Sequence, residues 1–113
     1  MDREKVMKMT DDELRIKVEE LLGFAIQTKE PFHFWTDKDY PNDIAAAWPL
    51  TDRMMGRMSL LQMMMGEDGR LGICGWKFDD DGRTVWTLDA VGNDIAPRTI
   101  TRAFILAMGG DDV

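Results

Sequence analysis

Residues 60–91 read LLQMMMGEDGRLGICGWKFDDDGRTVWTLDAV. Two Asp-Gly pairs, Asp68-Gly69 and Asp81-Gly82, divide this stretch into three apolar runs. Asp-Gly tolerates positive φ and is a strong hairpin signal, so the runs Leu60–Met65, Leu71–Phe78 and Thr84–Val91 are predicted to form an antiparallel meander. Side chains alternate across a strand. In the middle run Cys74, Trp76 and Phe78 point to one face, and Leu71, Ile73 and Gly75 to the other. In the first run Leu61, Met63 and Met65 oppose Leu60 and Met64. Neither face is polar, and a sheet apolar on both sides needs cover on both. The expected fold is therefore α+β: an α-β-α sandwich with helices on both faces of a three-stranded antiparallel meander.

The flanking segments supply helices. Thr10-Asp11-Asp12-Glu13 reads as a capping box, followed by Leu14, Val18, Leu21 and Leu22 at helical spacing, with Gly23 as a stop. Residues 1–9 read as a loose lead-in or a short extra turn. From Phe24 to Pro41 no period is sustained, and a loop with a short strand around Phe32–Trp35 is expected. Asn42 or Asp43 can cap a second helix carrying Ile44, Ala47, Trp48, Met54, Met55 and Met58, with Trp48 buried; at Pro49 it either kinks, the preferred reading, or divides into two short helices. A last helix opens at Ala96-Pro97, where proline's missing donor costs nothing. It presents Ile100, Ala103, Phe104, Ala107 and Met108, and ends at Gly109-Gly110; residues 109–113 form a frayed tail.

At 113 residues one domain is expected, spanning 1–113. The net charge of −7 disfavours direct nucleic-acid binding, which needs clustered Lys and Arg. The acidic excess lies in the N-terminal half and the tail. No apolar run approaches the ~20 residues of a membrane span, and the charged opening lacks the apolar segment of a secretory signal, so no membrane role and a cytoplasmic setting are expected. The single cysteine, Cys74, implies no disulfide framework.

Three stretches, REKVMKMTDDELRIKVEELLGF, NDIAAAWPL and DIAPRTITRAFILAM, occurring in that order with strands between the last two, resemble the phage ABA sandwich domain family. The resemblance covers roughly Met1 to Met108. It implies an α-β-α sandwich and a phage or prophage origin in a bacterial host cell, and it carries no catalytic motif.

Catalytic chemistry has little to draw on. His33 is the only histidine and Ser59 the only serine. A Cys74–His33 pair competes with a plain core role for Cys74. Soft-metal binding lacks ligands, and Asp79-Asp80-Asp81-Gly82 reads as a hairpin turn because no acidic residue stands at the closing position of a calcium loop. No cofactor is expected. Two arginine pairs at helical spacing, Arg53/Arg57 and Arg98/Arg102, could grip a phosphate, with Thr99 in the same first turn as Arg98; ordinary pairing with Asp52 or Asp94 is the competing reading. The stretch 31–48 holds Phe32, Phe34, Trp35, Tyr40 and Trp48. It either covers the core or carries a site in which Trp35 or Tyr40 stacks on a ligand. Trp76 and Trp86 could pair across neighbouring strands. Most of the six methionines from Met54 to Met65 are expected in the core, with any exposed remainder suited to a homo-oligomer contact. These features point to a non-enzymatic binding protein that sequesters a nucleotide-like molecule, and the resemblance to phage proteins implies that this molecule is a signal of bacterial defence. The alternative is an acidic inhibitor occupying a basic, nucleic-acid-binding surface of a host defence protein.

Overall fold

A computed structural model describes residues 3–22 and 38–109, apart from the side chains of residues 89–91 and 93. The elements are α1 (Arg3–Met7), α2 (Asp11–Leu21), α3 (Ile44–Ala47), α4 (Pro49–Met55), β1 (Leu60–Met65), β2 (Arg70–Phe78), β3 (Thr84–Ile95) and α5 (Ala96–Met108). The class is α+β, with strand order β1-β2-β3, antiparallel throughout, and helices packed against the sheet. That much is what the meander signal predicts.

Both turns close as their chemistry requires. Gly69 and Gly82 sit at φ 80° and 81°. Gly66 donates to the Arg70 carbonyl at 2.8 Å, and Asp79 to that of Arg83 at 2.9 Å. The Asp79 carboxylate accepts from the amides of Asp81 and Arg83, both at 2.9 Å. It is thus committed to the turn.

The α2 cap is the expected reciprocal one. The Thr10 hydroxyl accepts from the Glu13 amide at 3.2 Å, and the Thr10 amide donates to Glu13 Oε1 at 3.3 Å. Ahead of it, α1 buries Val6 completely. The helix around Pro49 is two segments rather than one kinked one. Trp48 keeps helical angles at their junction, and Pro49 opens α4 where no amide donor is needed. Gly23, the expected short strand at Phe32–Trp35 and the other residues of 23–37 lie outside the described residues, as do residues 110–113.

The core is built around α5. Its Ile100, Ala103, Phe104, Ile105 and Ala107 are fully buried, together with Thr99 and Thr101. A helix covered this widely must sit between two layers. On one side it packs on β2 and β3, where Leu71, Ile73 and Leu88 meet it; on the other lie α1, α2, α3 and α4. Threonine hydroxyls inside that core are satisfied along the backbone: Thr101 donates to the Pro97 carbonyl at 2.8 Å and Thr99 to that of Asp94 at 3.3 Å. All five described helices therefore lie on one side of the sheet. The apolar stripes of the outer helices are spent on α5, which leaves none for the other face. That face carries Leu60, Met64 and Val85, all exposed, with no described helix over it.

Two finer expectations are corrected. Trp86 sits opposite Lys77, and Trp76 opposite Thr87. One residue of register puts the two indoles on opposite faces, so they do not pair. The methionines are also less buried than their spacing implies. Met54 and Met58 are in the core, but Met55, Met64 and Met65 are exposed.

Candidate functional site

The Arg98/Arg102 pair on α5 is engaged within the fold. Arg98 donates to both oxygens of Asp11 at 3.3 Å, to Asp94 Oδ1 at 3.2 Å and to Asn42 Oδ1 at 2.9 Å. Arg102 donates to Asp94 Oδ2 at 2.9 Å. Asp94 therefore bridges the two guanidiniums, and the cluster ties α2 and the segment before α3 to the start of α5. Burial alone would raise the Asp94 pKa, but the Ile95 amide and the two arginines outweigh it and hold the carboxyl below its usual range. Asp11 is held low chiefly by its bond from Asn42, then by Arg98 against the opposing effect of burial. Arg98 is shifted up: burial opposes its charge, but Asp11 and Asp94 prevail. An incoming phosphate here would have to displace carboxylates already in place. Thr99, fully buried, is turned to the Asp94 carbonyl.

The other pair is divided. Arg57 donates to the Met108 carbonyl at 3.3 Å, capping the C-terminal end of α5. Arg53 is exposed and lines a cleft of about 190 Å³ together with Lys38, Tyr40, Leu22 and Pro49. Of the proposed stacking residues, Tyr40 forms a wall of this cleft, but its ring is buried and its hydroxyl turns inward to Glu19 at 2.7 Å. Trp35 lies outside the described residues.

The sequence does not announce a second cavity. Ile44, which opens α3, and Trp48, its C-cap four residues on, line a groove of about 350 Å³ together with Met63, Met65, Leu71 and Ala96. Its walls are almost wholly apolar, yet the Trp48 side chain is 57 % exposed. The expectation of a buried Trp48 fails because α3 turns Ala47 to the core instead. The helical spacing of Ile44 and Trp48 was the available signal. Which face of so short a helix turns inward is set by α5, not by local pattern.

Cys74 is half-buried in mid-strand with its sulfur 3.8 Å from Gln62 Oε1. Among the described residues no cluster of His, Cys, Asp or Glu could hold a metal, and no helix is long and apolar enough to cross a membrane. Comparison of the chain with models of known protein families, with curated proteins and with solved structures finds no match.

Proposed function

We propose that the protein is a non-enzymatic binding protein of phage origin that occupies a basic, nucleic-acid-binding surface of a host protein in the bacterial cytoplasm. The observation that carries this reading is the exposed Trp48 over an apolar groove on an acidic chain. Tryptophan anchors surrounded by apolar neighbours dominate the energetics of protein interfaces, and a polar rim completes them. Here exposed carboxylates flank the groove residues in sequence: Asp43 precedes Ile44, Asp52 lies one turn beyond Trp48, and Glu67 stands two residues after Met65. Such a surface suits a partner that otherwise binds phosphates with Lys and Arg. The resemblance to phage proteins supports a host target.

The test is photocrosslinking in bacterial cells from a probe placed at position 44, which lines the same groove and leaves Trp48 in place, compared with the Asp43→Lys/Asp52→Lys variant. A captured protein that depends on those carboxylates, and that loses its nucleic acid when the purified protein is added, supports the reading. Capture indifferent to the charge reversal, or a captured protein whose nucleic-acid binding is unchanged, overturns it.

The cleft of Arg53, Lys38 and Tyr40 favours a second reading, in which the protein sequesters a nucleotide-like signalling molecule. Arg53 has no pairing carboxylate among the described residues, so its charge is open to an anion. Calorimetry against cyclic and linear nucleotides, with Arg53→Ala as control, decides it: heat lost in the variant supports it, and no heat from the parent rules it out.

A further inference from the structure

The sheet has two edges, and they differ. Against β2, the strand β3 leaves regular register at three places: between Leu71 and Ile73, between Ile73 and Gly75, and between Lys77 and Phe78. Irregularity of this kind twists an edge away from further pairing. By contrast, β1 matches β2 residue for residue over all six positions. It contains no proline, and from Leu60 through Gly66 it carries no charge. The usual protections of an edge strand are missing. Among the described residues nothing pairs with its outer side.

Backbone and side chains both make that edge adhesive. The Gly66 amide donates to the Arg70 carbonyl, which sets the phase of the ladder. Alternation then turns the N–H and C=O groups of Leu61, Met63 and Met65 away from β2. Leu60 and Met64 are 51 % and 54 % exposed on the face that no described helix covers, and Met65 is 60 % exposed on the other. A strand laid along β1 would cover apolar surface on both sides and satisfy the outward backbone groups.

We propose that a second copy of this chain pairs antiparallel with β1 across a two-fold axis, joining two three-stranded sheets into one of six. Strand pairing of this kind is isologous and needs only the same strand from each partner. Charge selects the occupant. Copies bearing −7 each repel wherever their carboxylates approach, and the Leu60–Gly66 strip is free of them. A basic partner would be drawn to the carboxylates instead and finds none on β1. The pairing shares Met63 and Met65 with the rim of the Trp48 groove but makes no use of Trp48 itself.

Light scattering on size-exclusion peaks over a range of concentrations tests the pairing, with hydrogen exchange on the same samples. The expected result is a species of twice the 12.9 kDa chain, in which the Leu61, Met63 and Met65 amides exchange more slowly as concentration rises. The Leu60→Lys/Met64→Lys variant sets like charges across the new strand pair and is expected to run as a folded monomer. Trp48→Ala is expected to remain dimeric, which separates this surface from the partner groove. If the lysine variant does not fold, the exchange data on the parent decide alone. A monomer at every concentration, or a dimer whose three amides exchange at the monomer rate, overturns the proposal.

Discussion

Tyr40 and Glu19 meet inside the fold, the phenol donating to the carboxyl at 2.7 Å with each residue only 3 % exposed. The bond links α2 to the segment entering α3 across 21 residues of sequence. Burial raises the Tyr40 pKa well above the usual phenol value, and the Glu19 bond and charge push it further.

A group with a raised folded-state pKa contributes stability that is complete below its unfolded value, about 10 for tyrosine, and is lost as pH climbs toward the folded value. Stability of the parent should therefore decline above pH ~10. Tyr40 is the chain's only tyrosine, so tyrosinate absorbance reports it alone. That absorbance should appear together with unfolding, not before it. Tyr40→Phe leaves the Glu19 carboxyl without its donor and should cost about 1–3 kcal/mol in urea unfolding at neutral pH. A titration of the folded protein at the ordinary phenol pH would contradict the buried bond.

Asp94 should show the opposite sign at the acid end. Its depressed pKa contributes stability that is present above the ordinary aspartate value, near 3.9, and lost as pH falls through the folded value. Asp94→Asn removes the shared partner of Arg98 and Arg102 and should cost roughly 2 kcal/mol at pH 7. The difference between parent and variant should shrink below pH ~4, which thermal melts across an acid series will show.

Two glycines in the sheet should respond unequally to alanine. A Cβ on Gly92 would lie 2.7 Å from the Gly72 Cα and 2.8 Å from the Leu71 carbonyl, both backbone atoms that cannot yield. On Gly75 it would meet the Met58 sulfur at 2.7 Å, the flexible end of a side chain, and the Leu60 carbonyl at 3.1 Å. Gly92→Ala should therefore destabilise more than Gly75→Ala, with overpacking costs typically of about 1–3 kcal/mol. Equal denaturation midpoints for the two variants would count against the close β2–β3 approach.

Trp48→Ala and Phe104→Ala should separate binding from folding. Phe104 is fully buried at the centre of α5, and truncation there should cost about 3–5 kcal/mol. Trp48 stands exposed, so its loss should change stability by no more than roughly 0.5 kcal/mol while abolishing partner capture. Comparing melting temperatures with crosslinking yield checks both halves.

Much of the fold is determined by sequence alone, because its signals are local. The Thr10–Glu13 cap, the two Asp-Gly turns, the alternation of β2 and the Ala96-Pro97 helix start each act within a few residues, and each stands where its pattern puts it. Only the tertiary structure decided which apolar surfaces found partners. Strand alternation shows that both faces of the sheet are apolar, but it cannot say that α5 draws the outer helices to one side, or that Ala47 rather than Trp48 turns inward. The arginines divide the same way: their helical spacing and the nearby Asp94 are legible in the sequence, while the pairing of Arg98 with Asp11 depends on α2 meeting α5 across 87 residues of chain. Burial and charge pairing are settled by competition among distant segments, and no window of sequence contains the competitors.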